Sequence, residues 1–218
     1  IDRALPMASL TKLMTAYIVL KEHALTDVVT IDSSVQALDG TGSQTLGLVV
    51  GDKITVRQGL DALLVYSAND MAVSFAAWDA GSEPAFVAKM NQAAQMLGMK
   101  ETHFANASGL DGVNHVSSAR DLATIAQIML QSSTVREVVQ QRSASFTTQL
   151  GKQYRFTSTN QLLSNPAVKG MKTGYTVAAG QCLIAYAERE GHAILTVVLG
   201  STDRFGDTAQ LLQASNGI

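Results

Sequence analysis

The chain has 218 residues, 46% of them hydrophobic and 16% charged, which supplies the apolar material for a substantial core within a single domain. Sixteen Lys and Arg against 18 Asp and Glu leave a net charge of −2 with no basic stripe, so a nucleic-acid partner is excluded on electrostatic grounds. No uninterrupted apolar run is long enough to span a bilayer, Cys182 as the only cysteine excludes an internal disulfide, and His23, His103, His115 and His192 show no zinc-ligand spacing, so no metal or cofactor is assigned.

The first predicted element is a helix beginning near Ser9. Pro6 precedes it, and Leu10, Leu13, Met14, Tyr17, Ile18 and Leu20 give a broad apolar surface suited to a buried helix. Ser9-Leu10-Thr11-Lys12 places a hydroxyl and an amine three residues apart, on one helix face. A serine hydroxyl is a poor nucleophile without a base in reach, and a desolvated lysine is such a base. A helix N-terminus also favours developing negative charge. Taken alone, the same four residues read better as a Ser N-cap followed by a solvated Lys.

Leu60, Leu63, Leu64 and Val65 have helical spacing that ends at Tyr66 and resumes around Asp70, so Ser67-Ala68-Asn69 is predicted as a short connection between two helices. Such a loop presents a hydroxyl and an amide into a cleft, although Ser and Asn are also ordinary turn residues. Ser82-Glu83-Pro84 opens a predicted helix through Leu97 with Gly98 as its stop, and Ser118-Ala119-Arg120-Asp121 reads as a capping box before Leu122 to Leu130. Together these build a helical lobe.

Strand signals dominate the last third. Residues Ser145 to Phe156, around Leu150-Gly151-Lys152, read as a hairpin, and a second hairpin joins Cys182–Ala187 to Ala193–Leu199 through Glu190-Gly191. The second of these strands is almost wholly apolar, as expected when helices cover both sheet faces, with the Ser9 helix on one side and Thr208 to Ala214 on the other. Cys182, among apolar neighbours, reads as a buried strand residue. Lys172-Thr173-Gly174 stands at the entrance to this region, where a cation, a hydroxyl and a position without a side chain suit an extended peptide ending in a carboxylate. A surface turn before the hairpin is the plainer reading of that triplet.

The three motifs S-x-x-K, S-x-N and K-T-G in this order form the penicilloyl-serine transferase signature. The chain resembles the serine D-alanyl-D-alanine carboxypeptidases, the low-molecular-mass penicillin-binding proteins, over nearly its whole length. The resemblance is carried by Ala8-Ser9-Leu10-Thr11-Lys12-Leu13-Met14-Thr15, Leu64-Val65-Tyr66-Ser67-Ala68-Asn69-Asp70, Phe104-Ala105-Asn106-Ala107-Ser108-Gly109-Leu110-Asp111 and Lys169-Gly170-Met171-Lys172-Thr173-Gly174-Tyr175-Thr176. It implies an α+β, β-lactamase/transpeptidase-like fold, with a central antiparallel sheet flanked by helices plus a helical lobe, and residues 1–218 forming one catalytic domain.

The same resemblance implies the site. Ser9 attacks the peptide carbonyl between two D-alanines, Lys12 is the acylation base, Ser67 relays the proton to the leaving amine and Asn69 holds the substrate amide. Lys172 supplies positive charge, Thr173 holds the terminal carboxylate, and Gly174 with Tyr175 completes the substrate-binding strand. Backbone N–H groups of Ser9 and Tyr175 form the oxyanion hole. Arg204, in Asp203-Arg204-Phe205-Gly206-Asp207-Thr208, matches a family arginine near the carboxylate pocket. The implied partners are a peptidoglycan stem peptide and β-lactams as covalent inhibitors, at an extracytoplasmic location. Family members carry a signal peptide and β-hairpin before the nucleophile, and a β-rich domain with an amphipathic membrane anchor after the catalytic domain. None of these is in this sequence, which is expected to be a fragment of a longer protein.

Three other activities use this machinery. A serine β-lactamase of class A type needs a deacylating Glu in an E-x-x-L-N segment, and Glu83, Glu101 and Glu137 have the wrong following residues. DD-endopeptidase action on cross-links depends on cleft shape rather than on motifs. A non-catalytic penicillin sensor is usually fused to a membrane segment, and none is visible.

Overall fold

The structure, a computed structural model, describes residues 1–189 and 191–215. The chain opens with β1 (Leu5–Pro6) and a 3₁₀ turn, Ala8–Thr11, that runs directly into α1 (Lys12–Glu22). β2 (Val28–Thr30), a 3₁₀ turn at Ser33–Leu38, β3 (Lys53–Thr55), α2 (Val56–Leu60), a π-helical turn at Asp61–Tyr66, α3 (Asn69–Ala80) and α4 (Glu83–Met96) follow. Next come β4 (Val116–Ser117), α5 (Ala119–Met129), α6 (Ser133–Val139), β5 (Ser143–Thr147), β6 (Gln153–Thr157) and a 3₁₀ turn at Gln161–Ser164. β7 (Val168–Thr176), β8 (Gly180–Arg189), β9 (His192–Ser201) and α7 (Arg204–Ala214) complete the described chain.

Side-chain caps fix most helix starts. Ser82 accepts from Ala85 N at 3.3 Å with Pro84 in the first turn of α4, and Thr55 and Gln58 form a reciprocal capping box on α2. Gly98, at φ +71°, ends α4, and Met99 N returns to Ala94 O at 2.9 Å. The capping box expected at Ser118 is only half made. Ser118 Oγ accepts from Asp121 N at 3.1 Å, but the Asp121 carboxylate turns away to accept from Glu101 N and Thr102 Oγ1, each at 2.8 Å. It stitches α5 to the turn after α4 instead of closing its own helix. α7 begins at Arg204, a turn earlier than the apolar pattern indicated, because Asp203 caps it by accepting from Gly206 N at 3.0 Å.

β7, β8 and β9 form an antiparallel sheet in that order, with Lys172 opposite Ile184, Thr173 opposite Leu183 and Gly174 opposite Cys182. Its two faces bury against different partners. Ile194 and Ala187 pack with Leu212 of α7, whereas Leu195, Val197 and Ile184 join the main core with the 3₁₀ turn and α5. The expected hairpins are present as β5–β6 and β8–β9. Of the predicted turn Glu190-Gly191, Glu190 lies outside the described residues. α3 is buried along Asn69–Ala76 and forms the centre of the helical lobe, against α1 and α4. No helix among the described residues is long and apolar enough to cross a membrane.

Candidate active site

The 3₁₀ turn lifts Ser9 to the floor of a cleft of about 270 Å³ between the helical lobe and the sheet. Gly42, Ser43, Gln44, Ser67, Asn69, Gly109, Leu110, Thr159, residues 173–176 and Arg204 form the walls. The structure therefore brings Ser9, Ser67, Asn69, Thr173, Gly174, Tyr175 and Arg204 to one place. Lys12 and Lys172 lie behind the wall, 0% and 1% exposed. Ser9 does not begin an α-helix, as its spacing predicted. It belongs to the tighter turn ahead of α1, which still sets Ser9 and Lys12 on the same side.

Lys12 Nζ is 2.9 Å from Ser9 Oγ, 2.6 Å from Asn69 Oδ1 and 2.5 Å from Ser108 O. A neutral amine has two N–H donors and one lone pair. Two donors to Asn69 Oδ1 and Ser108 O leave the lone pair facing the Ser9 hydroxyl, the arrangement a base requires. Burial pushes the Lys12 pKa well below the ordinary lysine value, the nearby Lys172 charge pushes it further down, and Asp70 opposes both.

Ser67 holds a left-handed conformation, φ +72°, where the π-helical turn meets α3, and Ala8 beside Ser9 has φ +49°. Both are non-glycine residues in a region that costs about 1–2 kcal/mol each, and both line up at this one cleft. Asn69 is held from two sides: its N–H donates to Gln44 O at 2.8 Å and its side-chain oxygen accepts from Lys12. The amide nitrogen is thereby left toward the cleft.

On the opposite wall, Gly174 leaves little room for a side chain. A Cβ there would lie 3.1 Å from Ser9 N, Met7 O and Ala8 Cβ, so β7 closes directly on the turn that carries Ser9. Thr173 Oγ1 shares a hydrogen bond of 2.5 Å with Thr159 Oγ1. Arg204 Nη1 donates to Gly174 O at 2.8 Å, from the first turn of α7. Lys172 Nζ donates to Thr173 O at 2.9 Å, and burial, then the Arg204 charge, bring its pKa down to about 7.

Several contributors were not legible as site residues. Gln44 and Ser43 come from the irregular stretch before β3, which Asp70 pins by accepting from Leu46 N at 3.2 Å and Leu48 N at 3.0 Å. Thr159 was missed as well. Gly109, quoted only for its resemblance, is sterically obligatory: at φ +89° a Cβ would stand 2.1 Å from Ala8 O. Gly109→Ala is expected to destabilise the protein by at least about 2 kcal/mol and to lower penicillin acylation together with the melting temperature, checked by calorimetry and labelling.

Glu22, His23 and Asp79 place ligand-type atoms within 4.8 Å of one another, away from this cleft. Lys89 Nζ contacts Glu22 Oε2 and Asp79 Oδ2, each at 2.7 Å, so an ammonium group already neutralises those carboxylates.

A family model described as D-alanyl-D-alanine carboxypeptidase matches residues 1–203. The chain belongs to the D-alanyl-D-alanine carboxypeptidase family. The family relative DacF of Bacillus subtilis is 34% identical over 205 residues, covering 92% of this chain and 52% of its own length. For DacC of Escherichia coli the identity is 35% over 224 residues, covering 97% and 55%. The chain thus spans about half the length of these carboxypeptidase relatives. The D-alanyl-D-alanine carboxypeptidase of Streptomyces sp. strain K15 is 36% identical over 213 residues, 89% of this chain and 72% of that protein. The crystal structure of the Streptomyces K15 DD-transpeptidase superposes with a TM-score of 0.91 at 32% identity, covering 97% of this chain and 88% of that one. The fold is the α+β transpeptidase-like arrangement that the carboxypeptidase-family motifs implied.

Proposed function

We propose that this domain is a serine DD-carboxypeptidase that removes the terminal D-alanine from peptidoglycan stem peptides through an acyl-enzyme. The observation that carries the proposal is the Lys12 amine, buried and held by Ser9, Asn69 and Ser108 in the geometry of a base. Ser9 Oγ attacks the carbonyl between the two D-alanines while its proton passes to Lys12 Nζ. The N–H groups of Ser9 and Tyr175 receive the oxyanion. Ser67 delivers the proton to the departing amine, and water then releases the shortened peptide and restores Ser9. Asn69 holds the substrate amide. Thr173 and Arg204 hold the terminal carboxylate, Lys172 supplies positive charge from behind the wall, and Gly174 and Tyr175 align the peptide along β7. β-Lactams enter the same attack and remain as the acyl group. Residues 1–218 act as one catalytic domain, and the substrate places the reaction outside the cytoplasmic membrane.

Incubation with diacetyl-L-Lys-D-Ala-D-Ala, with D-alanine assayed and a penicillin-treated sample weighed intact, tests this reading. D-Alanine release with a stable penicilloyl adduct is expected. An adduct without release points to endopeptidase or sensor action, rapid penicillin turnover to a β-lactamase, and no adduct overturns the proposal.

The two lysines also set a pH dependence. Neutral Lys12 is the base, so acylation rises as pH climbs through its lowered pKa. Lys172 loses its charge as pH rises through about 7, so capture of a carboxylate weakens above that value. The profile of kcat/KM is expected to fall on the alkaline side by up to about tenfold per pH unit, with the limbs belonging to the coupled pair. The C-terminal amide of the same peptide, which has no carboxylate to lose, is expected to lack that descending limb.

A further inference from the structure

His115 is 4% exposed and stands outside the cleft wall, yet its ring is bonded at both nitrogens. Ala105 N–H donates to Nδ1 at 2.9 Å. A backbone N–H leaves no other role for that nitrogen than acceptor, so the ring proton belongs on Nε2. Nε2 is 2.7 Å from Thr11 Oγ1 and therefore donates to it, and Thr11 Oγ1 donates in turn to Ala8 O at 2.8 Å. The chain of bonds runs one way, from imidazole to hydroxyl to carbonyl.

Ala8 O belongs to the peptide unit whose other end is Ser9 N–H. In a planar trans peptide the two groups point in opposite directions, so holding the carbonyl aims the N–H. Ala8 is also the left-handed alanine, φ +49°, a conformation that persists only where the surroundings impose it. Here Gly109 closes over Ala8 O on one side and Thr11 holds it on the other. Successive hydrogen bonds polarise one another, which sharpens the donor at the far end.

We propose that His115 and Thr11 are positioning residues that fix and polarise the Ala8–Ser9 peptide, so that Ser9 N–H meets the oxyanion formed during acylation. This rests on the acyl-transfer reading above. Neither side chain touches the substrate. Burial, then the charges of His103 and Lys12, lower the imidazole pKa to about 4 against an opposing pull from Asp111, which keeps the ring neutral at pH 7. Phe104 packs edge-on against the ring, 6.1 Å between centroids, and excludes an alternative partner on that side.

The test separates the acylation rate constant from the dissociation constant of the non-covalent penicillin complex in Thr11→Val, Thr11→Ser, His115→Asn and His115→Gln, with melting temperatures alongside. Loss of an oxyanion donor costs about 10²–10³-fold, so misaiming one is expected to cost about tenfold or more in the rate constant at unchanged dissociation constant. Thr11→Val, which has no hydroxyl, and His115→Asn, whose shorter amide does not reach the Nε2 position that bonds Thr11, are expected to show this loss. Thr11→Ser and His115→Gln, which keep a donor, are expected to recover most of the rate. A folded Thr11→Val protein acylating within about twofold of the parent would overturn the relay. Should Thr11→Val fail to fold, long-range ¹H–¹⁵N spectra of the parent decide: a proton on Nε2 of His115 supports the relay and a proton on Nδ1 overturns it. Failure of the parent to take up penicillin strikes the acyl-transfer reading itself.

Discussion

Ser9→Ala is expected to eliminate covalent penicillin labelling while leaving the fold in place. The hydroxyl makes one hydrogen bond, with Lys12 Nζ at 2.9 Å, and Lys12 keeps its contacts to Asn69 Oδ1 and Ser108 O when that bond is lost. The change in stability is therefore about 1 kcal/mol or less. Chemistry is affected far more, because no other hydroxyl on the cleft wall has an amine aligned with it among the described residues. Intact mass after incubation with penicillin, with a thermal melt in parallel, checks this. An adduct on the variant would move the nucleophile to another cleft hydroxyl, such as Ser67 or Thr173, and undo the assignment of Ser9.

Lys12→Met is expected to slow acylation by about 10³-fold, within the range for loss of a positioned general base, while non-covalent binding survives. Methionine fills the buried space that Lys12 occupies at 0% exposure without restoring a donor. Asn69 Oδ1 and Ser108 O each lose a partner, at about 1–3 kcal/mol apiece, offset by no longer burying an amine. The rate constant for acylation, measured by stopped flow with a chromogenic β-lactam, carries the result. Acylation at the parental rate would remove Lys12 from the mechanism and leave Lys172, whose pKa falls to about 7, as the remaining buried amine at the cleft.

Local chemistry made the helices and hairpins readable, because caps and stops act within a few residues. Ser82, Pro84 and Gly98 bound α4 as expected, and the apolar run Ala193–Leu199 lies within β9 with its two faces buried against different partners. What the sequence left illegible involves distant partners. Asp121 caps nothing behind it because Glu101 N and Thr102 Oγ1 offer better-placed donors. The stretch 39–52 has no periodicity and is held by hydrogen bonds to distant groups, among them Asp70, Asn69, Lys152 and Tyr154, so the cleft residues it brings were invisible. His115 showed no ligand spacing, and its partner Thr11 is 104 residues away. The motif residues were legible for a different reason. A hydroxyl and an amine that must meet can sit at a short spacing wherever a single turn holds both, as it does Ser9 and Lys12.

The cleft draws its walls from segments that begin at Ser9 and end at Arg204, so no contiguous stretch of the chain contains it. Non-local contacts of this kind are closed late, after the helices that lie between them have formed. Covalent uptake of a fluorescent β-lactam is therefore a conformational stopwatch for this domain. Added at intervals during refolding, it counts only molecules whose two lobes have already met, and its signal will trail the return of helical circular dichroism.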